Sequence, residues 1–126
     1  MKLTLALPFL LLAACQPTPP ADSARAAVAA AEANLMQRHD SAMAQTGRLY
    51  DLKDKIGVRE DGRPYVRGLN AADQAMTTWM NRYAPDTTKT TAQQLAYFQA
   101  QQAELATIVR RLGAALDSAR TFVTRR

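Results

Sequence analysis

Val28, Leu35, Ala42, Leu49 and Ile56 recur at intervals of seven residues. A strand cannot use such a repeat, because its side chains alternate and residues seven apart fall on opposite faces. A helix puts all five on one stripe, and a strict heptad is the repeat of helices wound on one another. Met36, Met43 and Tyr50 widen that stripe on one side. The spacing predicts a helix from Asp22 to Ile56, with Asp22 or Ser23 capping its first turn. Its opening, "ARAAVAAAEA", favours helix but has little to bury. A second seam alternates at three and four residues through Leu95, Phe98, Gln102, Leu105, Val109, Leu112, Leu116, Ala119 and Val123. Gln102 is its one polar member, and a single polar seam residue can set register. Thr91 and Gln94 form a capping-box pattern at its start. Arg120, Arg125 and Arg126 suit the negative end of its dipole.

Between the seams lies a shorter helix. It is expected to start at Asn70 as N-cap, with Asp73 at N3, and to stop at Pro85. Leu69, Ala72, Met76, Trp79, Met80 and Tyr83 form its apolar face. The stretch "GVREDGRPYVRG" (57–68) reads as a long loop, punctuated by Gly57, Gly62, Pro64 and Gly68. The fold class is all-α: two long helices of about 50 Å and one short helix of about 20 Å. Buried stripes of equal length predict that the long helices run antiparallel, as a hairpin. The 57–68 loop then travels back so that the short helix rises beside the first, completing a three-helix bundle. The half farthest from the short helix is two helices thick, which predicts a homodimer contact there.

The start of the chain reads differently. Met1-Lys2 precedes "LTLALPFLLLAA", an apolar run too short to span a bilayer and suited to a secretory signal. It ends Leu12-Ala13-Ala14-Cys15, which resembles the bacterial lipobox. That resemblance implies a diacylglycerol on Cys15, cleavage before it and an acylated new N-terminus. Gln16 in place of Asp implies the outer membrane, with the domain facing the periplasm. The expected organisation is a signal at 1–14, a lipidated cysteine and proline-rich tether at 15–23, and a helical domain at 24–126. The tether prolines favour extended polyproline II.

Cys15 is the single cysteine of the chain, so once acylated it leaves no disulfide, and apolar burial must hold the fold. Without Lys2, 15 Lys and Arg oppose 11 Asp and Glu. In an exported chain that balance points away from nucleic acid. It points instead to a solvated mixed-charge surface, or to anionic lipid, lipopolysaccharide or wall polymer as the counter-charge, with an envelope protein as a further candidate partner. Arg59, Arg63, Tyr65 and Arg67 make the 57–68 loop the candidate partner-binding segment. His39 is the only histidine, and no Ser-His-Asp set suggests itself, so an enzyme is not expected. No cofactor is expected beyond the covalent lipid. His39 reads as a core histidine, flanked by Leu35, Met36, Ala42 and Met43. Asp40 lies about 100° round the helix, which predicts no pairing with it. The alternative is a Cu(I) site drawn from Met36, His39, Met43, Met76 and Met80, since thioethers and imidazole suit that soft ion. Together with Trp79 the set resembles, in residue types only, the copper site of small periplasmic copper chaperones.

A broader resemblance covers roughly residues 35–115. "RHDSAM" on a long helix, "AADQAMTTWMNRY", and a helix beginning near "AQQLAYFQAQQ" resemble a group of small helical bacterial lipoproteins, some labelled "viral A-type inclusion protein". The resemblance implies an exported helical lipoprotein and brings no activity. Its shared positions map onto His39, Asp40, Met43, Asp73, Met76, Trp79 and Met80, with Ser41 and Thr77 departing from the pattern. Murein lipoprotein is a second comparison. It is joined to the wall through a C-terminal Lys, whereas this chain ends Arg125-Arg126, so covalent linkage is not expected.

Overall fold

The computed structural model describes residues 20–125, so the expected signal, Cys15 and most of the expected tether lie outside the described residues. Three helices make up the domain: α1 (Ala21–Ile56), α2 (Arg63–Arg82) and α3 (Thr91–Thr124). A single 3₁₀ turn, Glu60–Gly62, precedes α2. The all-α, three-helix class holds, with no strand among the described residues.

α1 starts at Ala21, so Ala21, Asp22 and Ser23 belong to the helix and not to the tether. Pro20 is the N-cap; its carbonyl accepts from the Ser23 and Ala24 N–H groups at 3.0 and 3.2 Å. The Ser23 hydroxyl donates to the same carbonyl at 2.7 Å instead of capping an N–H. Asp22 contributes its charge to the positive first turn.

α2 starts seven residues before the expected Asn70, which lies exposed within the helix. Pro64 is the reason. At the first helical positions its missing N–H leaves nothing unsatisfied and its fixed φ is already helical, so it starts a helix here rather than breaking one. Gly57 closes α1 at φ +62°, with its N–H on the Lys53 carbonyl at 2.9 Å. The chain therefore reverses at once, with no long return crossing.

The early start also reverses the expected direction of the long helices. Leu69 and Ala72 at the start of α2 pack with Leu49, Leu52 and Ile56 of α1 and with Leu112, Leu116 and Ala119 of α3. Met76 and Trp79 at its end pack with Val28, Leu35 and Ala42, and with Phe98, Leu105 and Ile108. So α2 runs antiparallel to α1, and α3 runs parallel to it, up-down-up. The Gln102 side-chain amide donates to the Ala31 carbonyl of α1 at 3.2 Å, as only the parallel register allows. The expectation failed because it placed the return crossing before α2, in residues 57–68. Instead, residues 83–90 continue past the end of α2, and Thr87, Lys89, Thr90 and Thr91 arrive beside Arg25, Val28 and Ala29. α3 starts there and pairs with α1 over its full length.

The Asp86 carboxylate orders this linker, accepting from the Thr88 N–H at 2.9 Å and its hydroxyl at 2.6 Å. Those bonds hold the Asp86 carboxyl below its usual range. The capping box falls one residue earlier than expected. Thr90 Oγ1 accepts from the Gln93 N–H at 3.2 Å, and Gln93 Oε1 accepts from the Thr90 N–H at 3.1 Å. All five heptad residues of α1 are buried, as are Phe98, Leu105, Leu112, Leu116 and Ala119 of α3. Ile108 joins them from outside the expected seam. No polar or charged residue is buried among the described residues, so apolar contact carries the stability.

Candidate functional site

Two constellations stand out, at different heights on the bundle. The first surrounds His39. α1 presents Met36, His39 and Met43 at spacings of three and four residues, and α2 presents Met76 and Met80 one turn apart, with Trp79 beside Met80. The four methionines and Trp79 pack in or on the cluster of Leu35, Ala42 and Leu105; Met76 and Trp79 are buried, and Met36, Met43 and Met80 are half-buried. His39 Nε2 lies 3.2 Å from Met80 Sδ. Its Nδ1 lies 3.1 Å from Asp40 Oδ1, contrary to the expectation that the two do not pair. The 100° step separates their Cβ atoms, but at the rim of the bundle both side chains bend into reach. The His39 side chain is 20% exposed, so the group is open to solvent on one side.

An aromatic ladder continues from it. The His39 and Trp79 ring centroids are 5.6 Å apart, Trp79 and Tyr83 5.5 Å, and Tyr83 and Tyr97 6.1 Å. Tyr97 accepts the Ala84 N–H at 2.9 Å, pinning the linker to α3. Burial, with the Glu32 carboxylate and Tyr97 nearby, pushes the Tyr83 phenol up to about 12. Trp79 Nε1 is buried and finds no hydrogen-bond partner among the described residues.

The second constellation is the end of the bundle away from residue 20. Residues 48–73 and 110–125 carry ten Lys and Arg against six Asp and Glu, whereas the rest of the described chain carries four against five. The four candidate loop residues divide by role. Arg59 makes a two-point contact with Asp61, at 3.1 and 2.6 Å, and lies over the Phe122 ring at 4.9 Å. Tyr65 stacks on the same ring, 4.5 Å from the Phe122 centroid. These two close the tip of the core. Arg63 and Arg67 lie exposed on the first two turns of α2, Arg63 with Glu60 Oε1 at 3.4 Å.

Among the described residues no three His, Cys, Asp or Glu side chains come together in a group that could hold a metal ion by those donors alone. Signals for the basic tip were present in the residue types. The His39–Met80 contact was not, because it depends on the direction of α2. Compared with known proteins, this chain matches no family profile, no curated protein and no solved structure.

Proposed function

We propose that this chain is a lipid-anchored, non-catalytic interaction module of the bacterial envelope, held at the outer membrane by Cys15 and facing the periplasm. The observation that carries the reading is the polarity of the rod. α1 begins six residues after Cys15 and runs about 54 Å over its 36 residues. The basic excess lies at its far end. An anchor at one end and a positive surface at the other suit a tether that reaches from lipid toward an anionic envelope polymer. No helix of the described residues is long and apolar enough to cross a membrane, which is consistent with attachment by lipid.

Two measurements test this. Cells fed a clickable fatty acid should label the wild-type chain and not Cys15→Ala; equal labelling removes the anchor. Purified peptidoglycan, whose peptide stems carry free carboxylates, should pull down the wild-type chain in low salt and lose it in high salt. The Arg63→Ser/Arg67→Ser chain should bind several-fold less. Equal binding by that variant would remove the tip as the contact surface.

A further inference from the structure

We propose that His39, Met43, Met76 and Met80 form a binding site for copper(I). The starting point is the contact of His39 with Met80. An ionised carboxylate only accepts hydrogen bonds, so in neutral His39 the proton sits on Nδ1, facing Asp40. Nε2 then turns a lone pair toward Met80 Sδ at 3.2 Å, and a thioether carries no proton to give. Two Lewis bases thus face one another at the rim of the core. A cation between them satisfies both. A histidine whose second nitrogen is held by a carboxylate is the usual arrangement of a metal-bound imidazole.

The fold supplies the other donors. α2 runs antiparallel to α1, so one turn forward from His39 meets one turn back from Met80. Those positions are Met43 and Met76, in the same cluster. The result is a four-cornered set, His39 and Met43 on one helix, Met80 and Met76 on the other. Three thioethers and an imidazole are soft donors, which select Cu(I) over hard cations. Met36, on the turn of α1 away from Met76, lies outside the set. The Trp79 ring stands beside His39, where its π face can take up a cation. Half-buried Met43 and Met80 have the three rotatable bonds needed to swing their sulfurs inward, and the exposed edge of His39 admits the ion.

The test is an anaerobic Cu(I) titration of the full-length chain in detergent against a chromophoric Cu(I) chelator. Cys15→Ser removes the only thiol first. One Cu(I) should bind per chain and quench the single tryptophan in step. His39→Ala and Met80→Leu should each weaken binding at least tenfold, and Met43→Leu and Met76→Leu several-fold. Leu keeps the volume of Met, and unchanged circular dichroism confirms that each variant folds. Met36→Leu should bind as the parent does. Absence of stoichiometric binding, unchanged affinity in Met80→Leu, or equal loss in Met36→Leu and Met80→Leu would overturn the site. Zn(II) bound as tightly as Cu(I) would overturn its assignment to a soft ion.

Discussion

Gly62→Ala should destabilise the domain, against the usual sign of a glycine-to-alanine change. A Cβ on Gly62 would lie 2.3 Å from Ile56 Cγ2, well inside the ~3.5 Å at which carbons rest in contact. The Phe122 ring stands 3.4 Å from the same Cβ, already in contact, so a shift of the backbone has little free space to use. Ile56 is 1% exposed, and its Cγ2 is fixed on Cβ, so it clears the clash only by leaving the χ1 rotamer a helix prefers. Overpacking of this kind costs ~1–3 kcal/mol. The loss of unfolded-state freedom returns ~0.4–1 kcal/mol. A 2.3 Å approach belongs in the upper part of the overpacking range, about 2–3 kcal/mol, so the net cost is about 1–2.6 kcal/mol. At roughly 4–8 °C per kcal/mol for a domain near 100 residues, Tm should fall by about 4–20 °C. Gly68→Ala is the control. It lies exposed within α2 with nothing within 4 Å of its Cβ, and should gain up to ~1 kcal/mol. Ile56→Ala alone should cost ~2–5 kcal/mol through its cavity. Combined with Gly62→Ala it should cost less than the sum, because the new methyl enters the vacated space. Thermal melts of the four chains decide. A Gly62→Ala chain melting at or above wild type, or an additive double mutant, would refute the packing described for this turn.

The capping frame predicts that Thr90→Ala loses ~0.5–2 kcal/mol by thermal melt while Thr91→Ala loses far less; the reverse order would move the cap to Thr91. Gln102→Ala should cost ~0.5–1.5 kcal/mol by removing its bond to the Ala31 carbonyl, and an unchanged midpoint in denaturant would show that bond to be idle. The folded chain holds the Tyr83 proton to about pH 12, whereas an unfolded tyrosine ionises near 10. Stability from this group is therefore complete below pH 10 and lost as pH rises toward 12. Tyr83→Phe should lack that share of the alkaline loss, and matching melting curves for the two chains across pH 9–12 would contradict it.

Periodicity reports which face of a helix is buried, and here it did so closely. The α1 heptad residues are all core, and so is most of the α3 seam. Both seams read alike whether the partner runs up or down, because burial does not depend on direction. Direction was set by punctuation at 57–70, where each cue had two meanings. Gly57 does end a helix, but Pro64 begins one, and Gly68 is tolerated inside one on an exposed face. Asn70 has the chemistry of an N-cap and is not used as one. A seven-residue error in the start of α2 was enough to reverse α3, since it decided whether the crossing lay before α2 or after it.

The same error hid the geometry of the candidate site. With α2 parallel to α1, Met80 would rise away from His39, and Met76 and Met80 would follow α1 in the same order as Met36 and Met43. With α2 antiparallel, the order is crossed, and the far end of the short helix returns to the middle of the long one. His39 and Met80 are 41 residues apart in the chain and 3.2 Å apart in space for that reason alone. The turn that Gly62 permits is therefore the element on which the His39 cluster depends. A Gly62→Ala chain that folds but displaces α2 should lose the contact of His39 with Met80 along with its stability. The imidazole and Met80 methyl resonances, followed by NMR, would report that displacement directly. Unmoved resonances in a destabilised Gly62→Ala chain would show instead that the strain is absorbed at the tip, around Phe122, and never reaches the cluster.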